Sequence, residues 1–118
     1  MKEVYLVTGA SRGIGRSLSL ELVNSGFTVI GLSRQSTELD LLEDELKSID
    51  SNSTTIACDI ASTKELESAS KEIISNFSYL DGIIHNAGII NPIKPMSEAS
   101  IENWNQLIQV NLIGVQNL

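Results

Sequence analysis

The chain has 118 residues, of which 42% are hydrophobic, and it carries a formal net charge of −7. This length suits one globular domain, and the acidic balance argues against a nucleic-acid partner; simple solubility accounts for the charge. The single cysteine, Cys58, excludes an intrachain disulfide, and its apolar surroundings favour a buried thiol. No apolar run is long enough to span a bilayer, and the first strand starts too near Met1 for a signal peptide, so a cytoplasmic protein is expected.

The first predicted element is a strand over Val4–Thr8, which runs directly into a glycine turn with the spacing Gly9-x-x-x-Gly13-x-Gly15. A helix pattern follows from about Gly13 to Asn24. Such a turn exposes backbone N–H groups and the positive end of the helix dipole, which suits a dinucleotide pyrophosphate. The spacing differs from the general Gly-x-Gly-x-x-Gly fingerprint, so an ordinary glycine-rich loop is the alternative. The positions expected on one face of this helix are Ile14, Leu18 and Leu22.

Strand and helix patterns then alternate along the chain. Further strands are predicted over Thr28–Ser33, Thr54–Cys58 and Gly82–His85. Ser62-Thr63-Lys64-Glu65 predicts a capping box before the third helix. Strict alternation implies right-handed crossovers and an α/β fold, a Rossmann-type doubly wound parallel sheet. The hydrophobic stripes of the later helices are Leu39, Leu42, Leu46 and Ile49, then Leu66, Ala69, Ile73 and Phe77, then Ile101, Trp104, Leu107, Ile108, Leu112 and Val115.

The ends of the strands merit attention because doubly wound sheets bind ligands at their carboxyl edge. The second strand ends in Ser33-Arg34, without the acidic residue that bonds the ribose 2′-hydroxyl of NAD. Arg34, and Arg12 in the glycine turn, could pair with a 2′-phosphate instead. This favours NADP(H) over NAD(H), and the alternative is that both arginines are solvated surface groups.

The third and fourth strands also end in polar residues. Asp59 could accept the adenine amino group or cap a turn. Asn86, Ala87 and Gly88 would let the backbone approach a ribose or adenine. His85 could perform acid–base work, but a histidine held by backbone partners is the favoured interpretation.

Asn111 is a polar residue on the apolar stripe of the fourth helix, so it must find partners. It could bond the backbone of a neighbouring strand, hold an ordered water at a site, or do both. Trp104 on the same stripe is interpreted as a core residue. No metal site is predicted.

Four motifs in this order resemble the short-chain dehydrogenase/reductase superfamily, classical type, over essentially all 118 residues. They are Thr8–Gly15, Asp59, His85-Asn86-Ala87-Gly88 and Asn111-Leu112-Ile113-Gly114. The family has Asn where this chain has His85, which leaves the role of His85 open. A second, finer resemblance, over Ala87–Lys94, is to benzil-reductase and sepiapterin-reductase-like members.

The resemblance implies a role for each matching residue. Arg34 would select the 2′-phosphate, and Asn111 would be the catalytic residue that anchors a water in the proton relay. Asp59 and Ile60 would frame adenine, and Asn86, Ala87 and Gly88 would support the cofactor and the sheet. The residues implied to hold the pyrophosphate and adenosine ribose are Gly9, Ser11, Arg12, Gly13, Ile14 and Gly15.

The family's Tyr-x-x-x-Lys proton donor is missing: Gly9 lies four residues after Tyr5, and Ile83 four after Tyr79. Residues 1–118 are therefore expected to be the N-terminal part of an NADP(H)-binding Rossmann domain, ending within the fourth helix. The parent would be an NADP(H)-dependent oxidoreductase acting on a small-molecule carbonyl or alcohol, and a homo-oligomer, with this chain inactive alone. The alternative is a non-catalytic dinucleotide-binding or sensing module.

Overall fold

The computed structural model describes residues 2–77 and 79–86. Within these residues strands and helices alternate, and the strands form one parallel sheet in the order β3-β2-β1-β4. The α/β fold predicted from the alternation is thereby confirmed. The elements are β1 (Val4–Thr8), α1 (Gly13–Asn24), β2 (Thr28–Ser33), α2 (Thr37–Ile49), β3 (Thr54–Ala57), α3 (Thr63–Asn76) and β4 (Gly82–Ile84).

The sheet is covered on both faces, as predicted for a doubly wound fold. Alternate residues of β1 and β2 enter two separate core clusters, because successive side chains of a strand point to opposite faces. The cluster under α3 contains Val4, Leu6, Ile30, Leu32, Ile56, Cys58, Ile60, Leu66 and Ala69. The cluster under α1 and α2 contains Val7, Ala10, Val23, Val29, Leu42 and Leu46.

Helix α1 has the predicted bounds but buries a different face. Ile14 is 71% exposed, and Leu18 and Leu22 are only half-buried. The buried positions are Gly15, Ser19 and Val23, one residue further along the chain. Small residues at this face let the helix approach the end of β1 closely, and the Ser19 hydroxyl donates to the Gly15 carbonyl at 2.8 Å. Close approach of the backbone, rather than hydrophobic content, decides the orientation of α1.

Helix α2 follows its predicted stripe except at its end, where Ile49 is 47% exposed. In α3 the stripe is confirmed, while the capping box forms only in half. Ser62 accepts the Glu65 backbone N–H at 3.2 Å, but the Glu65 carboxylate accepts the Asp59 backbone N–H at 3.1 Å instead of that of Ser62. Strands β3 and β4 each end one residue earlier than predicted. The predicted fourth helix lies outside the described residues.

A buried carboxylate organises the amino-terminal edge of the sheet. Asp50, just after α2, accepts hydrogen bonds from the hydroxyls of Thr28 and Ser53, both at 2.8 Å. Burial opposes ionisation of Asp50, but these bonds, the Asn52 backbone N–H and nearby Lys2 outweigh it and lower the pKa of Asp50. The edge opposite the glycine turn is therefore a satisfied structural network.

Candidate functional site

The sheet order places a crevice at the carboxyl ends of β1 and β4. The chain steps from β1 to β2 and β3 on one side, then crosses to β4 on the other side of β1. Strand order reverses at this point, and doubly wound sheets bind ligands at such a switch point. The glycine turn leaves β1 here, and Asn86 follows β4.

The turn itself requires glycine at two positions. Gly9 and Gly13 have φ of 63° and 61°, in the left-handed region, where a side chain costs about 1 to 2 kcal/mol. The Ala10 backbone N–H donates to the Leu32 carbonyl at 3.3 Å, which holds the turn against the end of β2. The path of the turn is therefore set by backbone geometry at both ends.

Gly15 is required for a different reason, which is close packing. A β-carbon at position 15 would lie 2.1 Å from the Gly9 carbonyl oxygen and 2.6 Å from Asn86 Nδ2. The Asn86 side chain also donates to that Gly9 carbonyl at 3.3 Å. The start of α1, the end of β1 and the end of β4 therefore meet at one point.

The N-terminus of α1 differs from those of the other two described helices. Helices α2 and α3 are capped by the hydroxyls of Ser36 and Ser62 and carry acidic residues in their first turns. The N-cap residue of α1 is Arg12, which has an extended backbone and makes no side-chain capping hydrogen bond. The first turn of α1 has no acidic residue. An anion is the partner that such a terminus favours, because the N–H groups and the dipole both attract negative charge.

A buried threonine joins the ends of β1 and β4. The hydroxyl of Thr8, which is fully buried, accepts the Asn86 backbone N–H at 3.0 Å and lies 3.0 Å from His85 Nδ1. The interpretation that backbone partners hold His85 therefore missed this side-chain contact. Burial lowers the pKa of His85. Sequence spacing gave no signal that Thr8 joins the ends of β1 and β4.

The end of β2 exposes positive charge. Arg34 is exposed, Ser33 lies before it, and neither position carries a carboxylate. Within residues 2–77 and 79–86, neither Arg34 nor Arg12 forms an ion pair, whereas Arg16 of α1 pairs with Glu45 of α2. Both exposed arginines can therefore meet an anionic ligand without breaking an ion pair among these residues.

The end of β3 is an ordered turn. Asp59 Oδ1 accepts the Ala61 backbone N–H at 3.0 Å, and the Asp59 carbonyl accepts the Ser62 N–H at 2.9 Å. Ile60 is buried beside it. Asp59 thus has the turn-capping role that spacing left open, using one oxygen of its carboxylate. Cys58 is buried, and burial raises the pKa of its thiol to about 11, so it is an inert core residue.

The two tyrosines lie at the opposite edge of the sheet. Tyr5 donates its hydroxyl to Glu3 at 3.0 Å, a bond that raises the pKa of Tyr5, and Tyr79 donates to the Lys2 carbonyl at 2.8 Å. Neither phenol faces the glycine turn. Among the described residues, no helix is long and apolar enough to cross a membrane, and no cluster of His, Cys, Asp or Glu is suited to a metal.

The short chain dehydrogenase family model matches residues 3–118 of this sequence. The chain belongs to the short chain dehydrogenase family. The match spans the glycine turn, the strand ends and the remaining positions up to Leu118.

Curated family relatives have about twice the length of this chain. An NADPH-dependent pterin aldehyde reductase of Arabidopsis thaliana is 36% identical over 113 residues, covering 96% of this chain and 46% of the relative. The 3-oxoacyl-acyl-carrier-protein reductase FabG of Staphylococcus aureus is 36% identical over 120 residues, covering 99% and 48%. The chain thus spans about half the length of these short chain dehydrogenases.

Solved structures of the family share the fold. A short chain dehydrogenase of Salmonella enterica superimposes with a TM-score of 0.90 at 31% identity, over 100% of this chain and 50% of its own. A short chain dehydrogenase of Shigella flexneri complexed with NADP gives a TM-score of 0.89 at 29% identity, over 98% and 50%. The Rossmann-type fold of the short chain dehydrogenases is therefore shared by this chain.

The structure brings together only part of the predicted site. Gly9, Gly15 and Asn86 meet directly, while Arg34 and Asp59 lie at the neighbouring strand ends. Ser11 is half-buried in the glycine turn, and Ile14, one residue into α1, projects outward with 71% exposure. The remaining predicted positions lie outside the described residues; they are Ala87, Gly88 and Asn111.

Proposed function

We propose that this chain is the cofactor-binding part of an NADP(H)-dependent oxidoreductase that transfers hydride between nicotinamide and a small carbonyl or alcohol. The uncapped N-terminus of α1, seated on a glycine turn that Asn86 ties to β4, carries the proposal. Membership of a family of dehydrogenases supports the reaction class. NADP(H), when bound, would supply the hydride, and the residues of the glycine turn and the strand ends would bind and orient it.

The pyrophosphate is assigned to the turn between Gly9 and Gly15. Gly13, with its left-handed backbone, and Ser11 shape the approach, and the first-turn N–H groups of α1 face the anion. Ile14 is exposed next to these groups, so it offers an apolar contact to the cofactor rather than to the core. The residues of the turn fit a diphosphate because no carboxylate stands among them.

NADP(H) is preferred over NAD(H) in this proposal. Arg34 and Arg12 provide two exposed guanidinium groups, and a planar guanidinium pairs with phosphate through two parallel hydrogen bonds. The pterin aldehyde reductase is NADPH-dependent by name, and Escherichia coli and Shigella flexneri relatives were solved with NADPH and NADP. These relatives support the preference.

Adenine is assigned to Asp59 and Ile60. The turn that holds one Asp59 oxygen fixes the carboxylate, so its second oxygen can accept the adenine amino group. Ile60 is buried beneath this turn and supports it. Asn86, with Ala87 and Gly88, completes the cofactor side of β4, and Asn111 is retained as the proton-relay residue.

The 118 residues alone are predicted to have no catalytic activity. Its sequence has no Tyr-x-x-x-Lys, and its two phenols bond at the far edge of the sheet. The proton donor would belong to the remainder of the parent protein, along with the substrate pocket and the homo-oligomer contacts.

Titration with NADPH and NADH tests the proposal in both this chain and the product of the complete reading frame. We expect both proteins to bind NADPH more tightly than NADH. Only the product of the complete reading frame should oxidise NADPH with an aldehyde or ketone. NADPH oxidation by the 118 residues alone would contradict the predicted inactivity. Failure of both proteins to bind either nucleotide would contradict the site.

The absence of Tyr-x-x-x-Lys from these residues favours a second candidate, a non-catalytic dinucleotide-binding or sensing module. The two candidates differ in the coding sequence after Leu118. A Ser and a Tyr-x-x-x-Lys there would support the enzyme, whereas a stop codon would support the module. NADPH binding without turnover by the complete product would favour the module as well.

A further inference from the structure

A short chain of hydrogen bonds connects His85 to the glycine turn. His85 Nδ1 lies 3.0 Å from the Thr8 hydroxyl, and the same hydroxyl accepts the Asn86 backbone N–H at 3.0 Å. The Asn86 side chain in turn donates to the Gly9 carbonyl at 3.3 Å. A titratable side chain is thus connected through three hydrogen bonds to the turn that carries the proposed pyrophosphate site.

We propose that His85 is a positioning residue that makes NADP(H) affinity depend on pH, by setting the direction of its hydrogen bond with Thr8. This inference rests on the proposed function and deepens it, since the ligand is the same cofactor. His85 stands one residue before Asn86, at the crevice between β1 and β4. His85 is exposed as a residue, although its Nδ1 contact with Thr8 is partly buried, so it can exchange a proton directly with solvent.

The two protonation states of His85 need opposite bonds. A neutral imidazole with its proton on Nε2 accepts the Thr8 hydroxyl proton at Nδ1, leaving the hydroxyl oxygen to accept from Asn86. When a solvent proton is added at Nδ1, the ring must donate, and the Thr8 proton must turn to another acceptor. The Thr8 oxygen then shares its two lone pairs between the imidazolium and Asn86, and its own proton no longer polarises it toward Nδ1. This weakens its bond to Asn86 and loosens Asn86 against Gly9.

Among the described residues, no neighbouring charge shifts the pKa of His85. Within residues 2–77 and 79–86, the elements next to His85 are the end of β1 and the glycine turn, whose charged side chain is the exposed Arg12; in α1, Arg16 is paired with Glu45. Burial lowers the pKa of His85 below its ordinary value of 6.5, and no charged group among residues 2–77 and 79–86 contributes to that shift. The imidazole is therefore neutral at pH 7, and the direction of its bond with Thr8 reverses as the pH falls through this lowered pKa.

The test compares the product of the complete reading frame with its His85→Asn variant. Asparagine can also bond Thr8 but does not titrate. We expect the ratio of the wild-type to the variant Kd for NADP⁺ to be constant at pH 7 to 8 and to rise about threefold to tenfold by pH 5, the equivalent of about one hydrogen bond. Titration of the cofactor's own phosphate cancels in this ratio. A flat ratio, or one that falls in acid, would overturn the inference.

A second measurement needs no cofactor. Nitrogen-15 NMR of the same proteins should show the Nε2–H tautomer of His85 at pH 8. Amide exchange at Asn86, corrected for its intrinsic rate, should be at least about threefold faster in the wild type than in His85→Asn at pH 5. An Nδ1–H tautomer, or equal exchange in both proteins, would overturn the role of His85. Loss of NADP⁺ binding in both proteins at every pH would instead refute the proposed function, and this measurement would still decide His85.

Discussion

Gly15 of α1 lies against Gly9 at the end of β1 so closely that a β-carbon at position 15 would come within 2.1 Å of the Gly9 carbonyl oxygen. No side-chain rotation relieves this contact, because the atom it meets belongs to the backbone. At Gly13, in the same turn, a β-carbon would meet nothing within 4 Å, and the constraint is its φ of 61°. Glycine is therefore required at position 15 by close packing and at position 13 by backbone conformation.

We expect Gly15→Ala to destabilise the protein by about 3 kcal/mol or more and to weaken NADPH binding at least about tenfold, because α1 must move away from β1. Gly13→Ala should cost about 1 to 2 kcal/mol, the strain of a left-handed alanine. Urea unfolding and an NADPH titration measure both effects. Equal unfolding free energies for the two variants would contradict the close packing.

The exposed arginine after β2 gives a test of cofactor selection. Arg34→Ala should weaken NADPH binding about tenfold, the loss of one charge-assisted contact, and leave NADH binding within about twofold. Lys47→Ala is the matched control, since it removes the same charge from an exposed site in the last turn of α2. A similar loss for both nucleotides, or for both variants, would show that Arg34 acts only through overall charge.

The missing cap on α1 gives a third prediction. Arg12→Ser supplies a hydroxyl at the position that Ser36 and Ser62 occupy in α2 and α3. Compared with Arg12→Ala, it should stabilise the cofactor-free protein by about 1 kcal/mol. It should also bind NADPH more weakly than Arg12→Ala, because the hydroxyl competes with phosphate for the same N–H groups. Thermal unfolding and NADPH titration of the two variants decide this, and tighter binding by Arg12→Ser would rule the competition out.

Asp50, at the other edge of the sheet, contributes stability that depends on pH. Its pKa is lowered in the folded state, so its stabilisation is complete above the unfolded value of 3.8 and is lost as pH falls through the folded pKa. Asp50→Asn should therefore cost about 1 to 3 kcal/mol at pH 7 and flatten the loss of stability between pH 5 and pH 2.

Asp44→Asn is the control for this fourth prediction, because Asp44 is exposed on α2. It should change the unfolding free energy little, and neither variant should alter NADPH affinity, since Asp50 lies at the edge opposite the glycine turn. Urea unfolding at a series of pH values provides the measurement. An unchanged pH slope in Asp50→Asn would show that the Thr28 and Ser53 bonds do not favour the ionised form.

Sequence patterns predicted the larger features of the fold. The bounds of α1, β1 and β2 agree with the structure, since helical spacing and short apolar runs are local information. The capping box formed only in half because two elements compete for Glu65, which caps the N–H of Asp59 rather than that of Ser62. Strands β3 and β4 end a residue early, and α1 buries a face one residue further along than predicted. Spacing along one element cannot rank partners that come from another.

The candidate site shows the same division. The residues of the turn could be named from the glycine spacing, because a helix N-terminus that must approach phosphate needs small residues there. The role of Thr8 could not, because its partners His85 and Asn86 are 77 and 78 residues away in the sequence. Only the pairing of β1 with β4 brings these groups together.

By itself, the sequence determined the alternation of elements, the parallel α/β sheet and the presence of a glycine turn, since each follows from local periodicity and composition. Tertiary structure alone decided that α1 buries Gly15, Ser19 and Val23 and that Gly15 touches Gly9 and Asn86. The reason is physical: periodicity defines a helix face, but the depth to which that face can sink against the sheet depends on which backbone atoms meet it. Here that contact joins three chain segments at the proposed phosphate site.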